Sequence, residues 1–149
     1  MQTIRRIGTR EAERVIAGAR RRAGQIGVPM CIAVVDESGT LVQFIREDGA
    51  KLTSVSIAID KAFTGAGARN LTSFYGQVSQ PGAPAWGIDK TNGGRFSVIG
   101  GGAPIVENGV VVGGVGVSGG TASQDEDVAL AGVAELESTD ANLTTVGRS

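Results

Sequence analysis

The chain has 149 residues, enough for one domain with a core of its own. Hydrophobic residues make up 41% and charged residues 19%, a globular balance that excludes a disordered chain. The net charge is −1 and no stretch approaches the roughly 20 apolar residues of a membrane span, so neither nucleic acid nor membrane is an expected partner.

The first helical pattern follows Thr9, which reads as an N-cap with Glu11 and Glu13 behind it. Ala12, Val15, Ile16, Ala19 and Ala23 then fall at helical spacing, and the helix is expected to end at about Ile26, before Gly27. Residues 30–35 are a continuous apolar run, read as a buried strand. Residues 36–39 are turn chemistry, and residues 40–46 alternate as a second strand, completing an antiparallel hairpin. Residues 51–68 carry Leu52, Val55, Ile59, Ala62, Phe63 and Ala66 as the apolar face of a second helix. Residues 70–95 show little periodicity and read as one long loop, a feature usually tied to function. Residues 96–99 read as a short strand. Two further strands, 103–107 and 110–117, flank the hairpin signal Asn108-Gly109. Ser123 with Glu126 fits a capping box for a last helix to about Glu137, and the polar residues from Ser138 onward read as a frayed tail. The expected architecture is α+β, a single domain over residues 1–149 with its core at about 9–137: one five-stranded antiparallel sheet with helices on it.

Histidine is absent and cysteine occurs once, as Cys31. These two facts exclude a His-ligated metal or haem, a Ser-His or Cys-His dyad and an intramolecular disulfide. Acid–base chemistry would fall to Asp, Glu, Lys, Tyr or Cys. No cluster of Cys or carboxylates has metal-ligand spacing, so no metal site is expected. Residues 1–6 lead into no apolar run, which reads as no signal peptide and makes the cytoplasm the expected compartment.

The 24 glycines far exceed the roughly 7% of average usage and concentrate between Gly76 and Gly120. Gly114, Gly116 and Gly119 match G-x-G-x-x-G after a strand and before a helix. A dinucleotide site needs a further parallel strand with an acidic residue about 20 positions on, and here the chain nearly ends. The amides of Gly119, Gly120 and Thr121 at the start of the last helix are nonetheless suited to a carboxylate, propionate or phosphate. Glu126 and Asp127 read as dipole complements, whereas Asp125 is a candidate catalytic or ligand-orienting carboxylate. Lys61 lies off the apolar face of its helix, the ordinary position of a solvated lysine, and Arg46 with Asp48 reads as a surface pair. Convergence of Lys61 and Arg46 on the Gly119 amides would instead make an anion pocket. Trp86 and Tyr75 either anchor the long loop or stack on a flat ligand. Cys31 reads as an inert buried thiol and Asp36 as the maker of an Asx-type bond.

Several segments together resemble the GlcG/HbpS-like family, which includes the C-terminal domain of PduO-type proteins. They are Cys31-Ile-Ala-Val-Val-Asp36-Glu-Ser-Gly39, Arg46-Glu-Asp48, Asp60-Lys61-Ala62-Phe63-Thr64, Gly101-Gly102-Ala103-Pro104-Ile105, and Gly113 to Asp125 with its Val-Ser-Gly-Gly-Thr and Gln-Asp. The resemblance spans about Thr9 to Glu137. It implies a profilin-like α+β fold with a five-stranded antiparallel sheet, and a homo-oligomer. Some members bind haem, and others resemble parts of corrinoid or glycolate-utilisation systems, so haem or cobalamin is the implied cofactor class. Lys61, Thr64, Gly102, Pro104, Gly119, Gly120, Gln124 and Asp125 match the family pattern, and the resemblance implies a shared pocket among them, with a purely structural role as the alternative for Gly102 and Pro104. Lacking histidine, this chain departs from His ligation, and a haem would need Thr, Tyr, Lys, Met or Cys, or no strong ligand.

Two functions are therefore expected. One is an oligomeric cytoplasmic module holding an organic anion or a tetrapyrrole through Arg46, Thr64, Trp86, Gly102, Gly119, Gly120, Thr121 and Gln124. The other is a cofactor-free isomerase, dehydratase or lyase for a carboxylated metabolite. In that reading Lys61 or Asp125 is the acid–base group and the Gly119 and Gly120 amides are the oxyanion site.

Overall fold

The computed structural model describes residues 1–146, with side chains described through Glu137. Helix α1 (Thr9–Ile26) buries the stripe Ala12, Val15, Ile16, Ala19 and Ala23 set by its sequence period. Its N-cap is the extended Gly8, so Thr9 is the first helical residue rather than the cap. Gly27, at φ +82°, closes the helix by donating its N–H to Ala23 O at 2.8 Å.

Strands β1 (Cys31–Asp36) and β2 (Leu41–Arg46) form the expected hairpin, and β3 (Gly102–Glu107) and β4 (Val110–Ser118) form another. The hairpins join through β1 and β4 into one antiparallel sheet of four strands, ordered β2-β1-β4-β3. The fifth strand expected at residues 96–99 does not form. Its backbone groups are taken by helix side chains instead: Ser97 N donates to Thr64 Oγ1 at 2.9 Å, and Thr72 Oγ1 donates to Ile99 O at 2.6 Å. A ladder cannot use groups already satisfied in this way.

The segment expected as one loop contains helix α3 (Thr72–Val78) and two single-turn 3-10 helices, at Ile88–Lys90 and Asn92–Gly94. Helix α2 spans Ser54–Ala68, and helix α4 spans Ala122–Val146, well beyond the expected end near Glu137. The expected fraying from Ser138 is therefore not seen in the backbone as far as Val146; residues 147–149 lie outside the described residues.

The sheet separates two unequal layers. Helices α1 and α4 cover one face, against Ile32, Val34, Val115 and Val117. Helix α2 covers the other, and it lies very close because β4 presents glycine there: a Cβ on Gly116 would sit 2.0 Å from Ala58 O and 2.3 Å from Ala62 N. The alternation of glycine and valine along β4 thus gives the strand one thin side and one bulky side.

Candidate functional site

The open end of the sheet, where β4 turns into α4, gathers most of the residues singled out by sequence. Lys61 is not solvated: it is 1% exposed. It leaves α2 and passes the end of the sheet beside Gly101, where a Cβ would meet Lys61 Nζ at 2.8 Å. Its ammonium donates to Val117 O at 2.9 Å and to Asp125 Oδ2 at 3.0 Å. Asp125, 2% exposed, accepts from Gly120 N at 2.8 Å through its other oxygen. One buried ion pair therefore ties α2, β4, the bend and α4 together.

That pair changes the reading of the bend. The carboxylate on the Gly120 amide is the protein's own Asp125. The Thr121 amide is likewise taken, by Gln124 Oε1 at 3.0 Å, while Gln124 N donates back to Thr121 Oγ1 at 3.1 Å. This reciprocal pair is the capping box of α4, so the cap is Thr121 with Gln124 and not Ser123 with Glu126. The displaced Glu126 instead accepts from Ser73 Oγ on α3 at 2.5 Å. Two of the three amides proposed as an anion cradle are thus satisfied within the chain.

The other candidates scatter. Thr64 donates to Asp60 O at 2.8 Å and supports residue 97, a structural role. Gly102 is buried at the start of β3, its N–H on Thr72 Oγ1 at 2.9 Å, and a Cβ there would sit 2.3 Å from Lys61 O. Arg46 is exposed at the end of β2; it faces Cys31, which in turn faces Ser118, so Arg46 stands two strands from the bend, about 10 Å away. It does not converge with Lys61, and no ion pair with Asp48 forms; the neighbouring Glu47 reaches Arg20 at 3.5 Å. Trp86 is 65% exposed, so it does not anchor its loop. Tyr75 does anchor, meeting Phe74 and Phe96 edge-on at 5.2 and 4.9 Å. Cys31 is fully buried, and burial pushes its thiol up, as an inert cysteine requires. Asp127 pairs across to Arg22 on α1 at 2.9 Å, which holds its carboxyl below the usual range.

Beside the bend lies an open cleft of about 650 Å³ between α3 and α4. Val98, Ile99, Gly100 and Ala122 form its apolar part, and Ser73, Gln77, Ser123 and Glu126 its polar part. Gly100 keeps the floor thin, since a Cβ there would lie 3.2 Å from Ala122 O. Sequence reasoning missed the α3 wall. The signal was present in Leu71, Phe74, Tyr75 and Val78, which fall at i, i+3, i+4 and i+7. Among the described residues no group of three or more Cys, Asp or Glu is placed to hold a metal ion, and no helix is long and apolar enough to cross a membrane.

The α+β fold has clear relatives. Residues 7–134 match the family described as haem degrading protein HbpS-like, and the chain belongs to that family. A Citrobacter freundii protein, described as an uncharacterized 15.0 kDa protein in the dhaT-dhaS intergenic region, is 39% identical over 124 residues, covering 83% of this chain and 87% of its own. The crystal structure of Klebsiella pneumoniae protein ORFY superposes with a TM-score of 0.89 at 31% identity, covering 92% of this chain and 94% of that one. The crystal structure of a PduOC:heme complex superposes with a TM-score of 0.83 at 32% identity, covering 87% of this chain and 94% of that one.

Proposed function

We propose that this chain is a small-molecule-binding module whose cleft between α3 and α4 takes a flat, largely apolar ligand. A tetrapyrrole, haem or corrinoid, is favoured over a small organic anion. The observation that carries this reading is the cleft itself. Its volume of about 650 Å³ falls within the roughly 300–1,000 Å³ of ligand sites, and Ile99 stands 56% exposed within it. The haem complex of a relative at 32% identity supports the tetrapyrrole class.

The lining does not fit a strongly ligated haem iron. It supplies hydroxyls, amides and one carboxylate, from Ser73, Ser123, Gln77, Gln80 and Glu126, with no thiol, thioether, amine or phenol. A tetrapyrrole here would be held by its faces and edges. The Glu126 charge and the occupied amides of the bend weigh against a small anion at this place.

The acid–base reading keeps one supporting feature, the convergence of Lys61 and Asp125 to 3.0 Å. Both are almost fully buried, so a substrate would reach them only if the chain packed around them moved aside. Binding is therefore the better reading. We propose that the module is a homo-oligomer, as the family resemblance implies, with size-exclusion chromatography coupled to light scattering as its check.

Absorbance titration with hemin, and separately with hydroxocobalamin, tests the ligand class. A saturable Soret shift at micromolar hemin, without the spectrum of a strong axial ligand, is the expected result. No spectral change with either compound at micromolar concentration removes the tetrapyrrole reading.

A further inference from the structure

A second concavity, further along α4 at Val133, Leu136 and Glu137, has the chemistry that the first one lacks. It encloses about 360 Å³ between the N-terminal segment, α1, the β3–β4 hairpin and α4. Its floor is apolar: Ile105, Val112, Val133 and Leu136. Its rim is arginine. Arg5 is held by Glu107 at 3.0 Å, and Arg6 turns away to Glu37 at 2.5 Å. Arg10 and Arg14 also line it, and neither makes a hydrogen bond or ion pair among the described residues.

Arg10 and Arg14 are four residues apart on α1, so they share one helix face. Like charges at that spacing destabilise a helix unless a counter-ion lies between them. Arg14 is half-buried, which raises the value of a partner for its guanidinium. Among the described residues the carboxylates at the rim leave both arginines unmatched: Glu107 is used by Arg5, and neither Glu11 nor Glu137 lies within ion-pair distance of them. The same two glutamates disfavour a highly charged ligand.

We infer that this cleft binds a monocarboxylate with a hydrocarbon body, its carboxylate between Arg10 and Arg14 and its chain on the Ile105, Val112, Val133 and Leu136 floor. A guanidinium fork is shaped to take a carboxylate through two parallel hydrogen bonds. The apolar floor would release water against an alkyl chain. This inference does not rest on the tetrapyrrole cleft, and the outcome of a hemin titration leaves it untouched.

The test is isothermal titration calorimetry of the full chain with octanoate, and with octanamide as the neutral isostere. Saturable octanoate binding at one site per chain is expected, at least tenfold weaker in the Arg10→Gln/Arg14→Gln double variant and unchanged in Lys51→Gln. Octanamide should bind the unaltered protein at least tenfold more weakly than octanoate, an arm that needs no variant to fold. No saturable octanoate binding at millimolar concentration overturns the inference. So does equal affinity for octanamide, or equal affinity of the double variant.

Discussion

Replacing Lys61 by methionine removes the ammonium while keeping most of the apolar stem. Three hydrogen bonds meet at this point: Lys61 Nζ to Asp125 Oδ2 at 3.0 Å, Lys61 Nζ to Val117 O at 2.9 Å, and Gly120 N to Asp125 Oδ1 at 2.8 Å. The side chains are 2% and 3% exposed, so water cannot replace the lost cation. Lys61→Met would leave the Asp125 carboxylate buried with one backbone partner, and breaking such a pair costs about 3–5 kcal/mol. At about 2–4 °C per kcal/mol for a domain of this size, the melting midpoint should fall by about 6–20 °C. Urea unfolding of Lys61→Met, Asp125→Asn and the double variant measures the cost and the coupling. Asp125→Asn retains an oxygen for Gly120 and removes the orphaned charge, so the double variant should be less destabilised than the two single losses combined, by about 0.5–3 kcal/mol. A Lys61→Met protein within about 0.5 kcal/mol of the parent, or strictly additive variants, would refute the tie.

Glycine positions separate close approach from simple flexibility. Gly116→Ala, whose Cβ would lie 2.0 Å from Ala58 O, should lower the urea midpoint sharply or prevent folding, whereas Gly67→Ala meets nothing within 4 Å in α2 and should add about 0.4–1 kcal/mol. Thr121→Ala removes the reciprocal cap with Gln124 and should cost about 0.5–2 kcal/mol, with Ser123→Ala close to neutral in the same denaturation assay. Burial pushes the Asp36 carboxyl up, but the Ser38 hydroxyl, the Ser38 and Thr40 amides and Arg6 outweigh it and hold it below the ordinary carboxylate range. A carboxyl depressed in the fold stabilises above its unfolded value and loses that contribution as pH falls through its folded value, so acid titration of stability should be shallower in Asp36→Asn.

Elements with a clean period were legible in the sequence. The α1 stripe from Ala12 to Ala23, the β1–β2 hairpin and the Asn108-Gly109 turn all form where the residues place them. Residues 96–99 misled because an apolar Phe-Ser-Val-Ile run looks like a strand, and local pattern carries no information about Thr64 and Thr72 taking its backbone groups. The α4 start misled in the same way. Thr121-Ala-Ser-Gln and Ser123-Gln-Asp-Glu both have cap spacing, and the choice is made by Ser73 of α3 drawing Glu126 away. At the site, Lys61 and Asp125 were each legible as candidates, but their pairing and their burial were not. A lysine off the apolar face of a helix reads as solvated unless the end of a glycine-thinned sheet lies beside it. Gly119 and Gly120 marked the bend correctly, yet a glycine-rich backbone announces exposed amides without saying that the chain's own Asp125 and Gln124 fill them.

The function of this chain is decided by where a flat ligand sits. Paramagnetic broadening of backbone amide signals by ferric hemin reads this directly on the intact protein. Loss of the Ser73, Gly76, Ile99 and Ser123 signals, with the Arg10 and Arg14 signals retained, is the expected pattern. Hemin that broadens signals elsewhere and spares these four, or that broadens none, would contradict the assignment of the α3–α4 cleft.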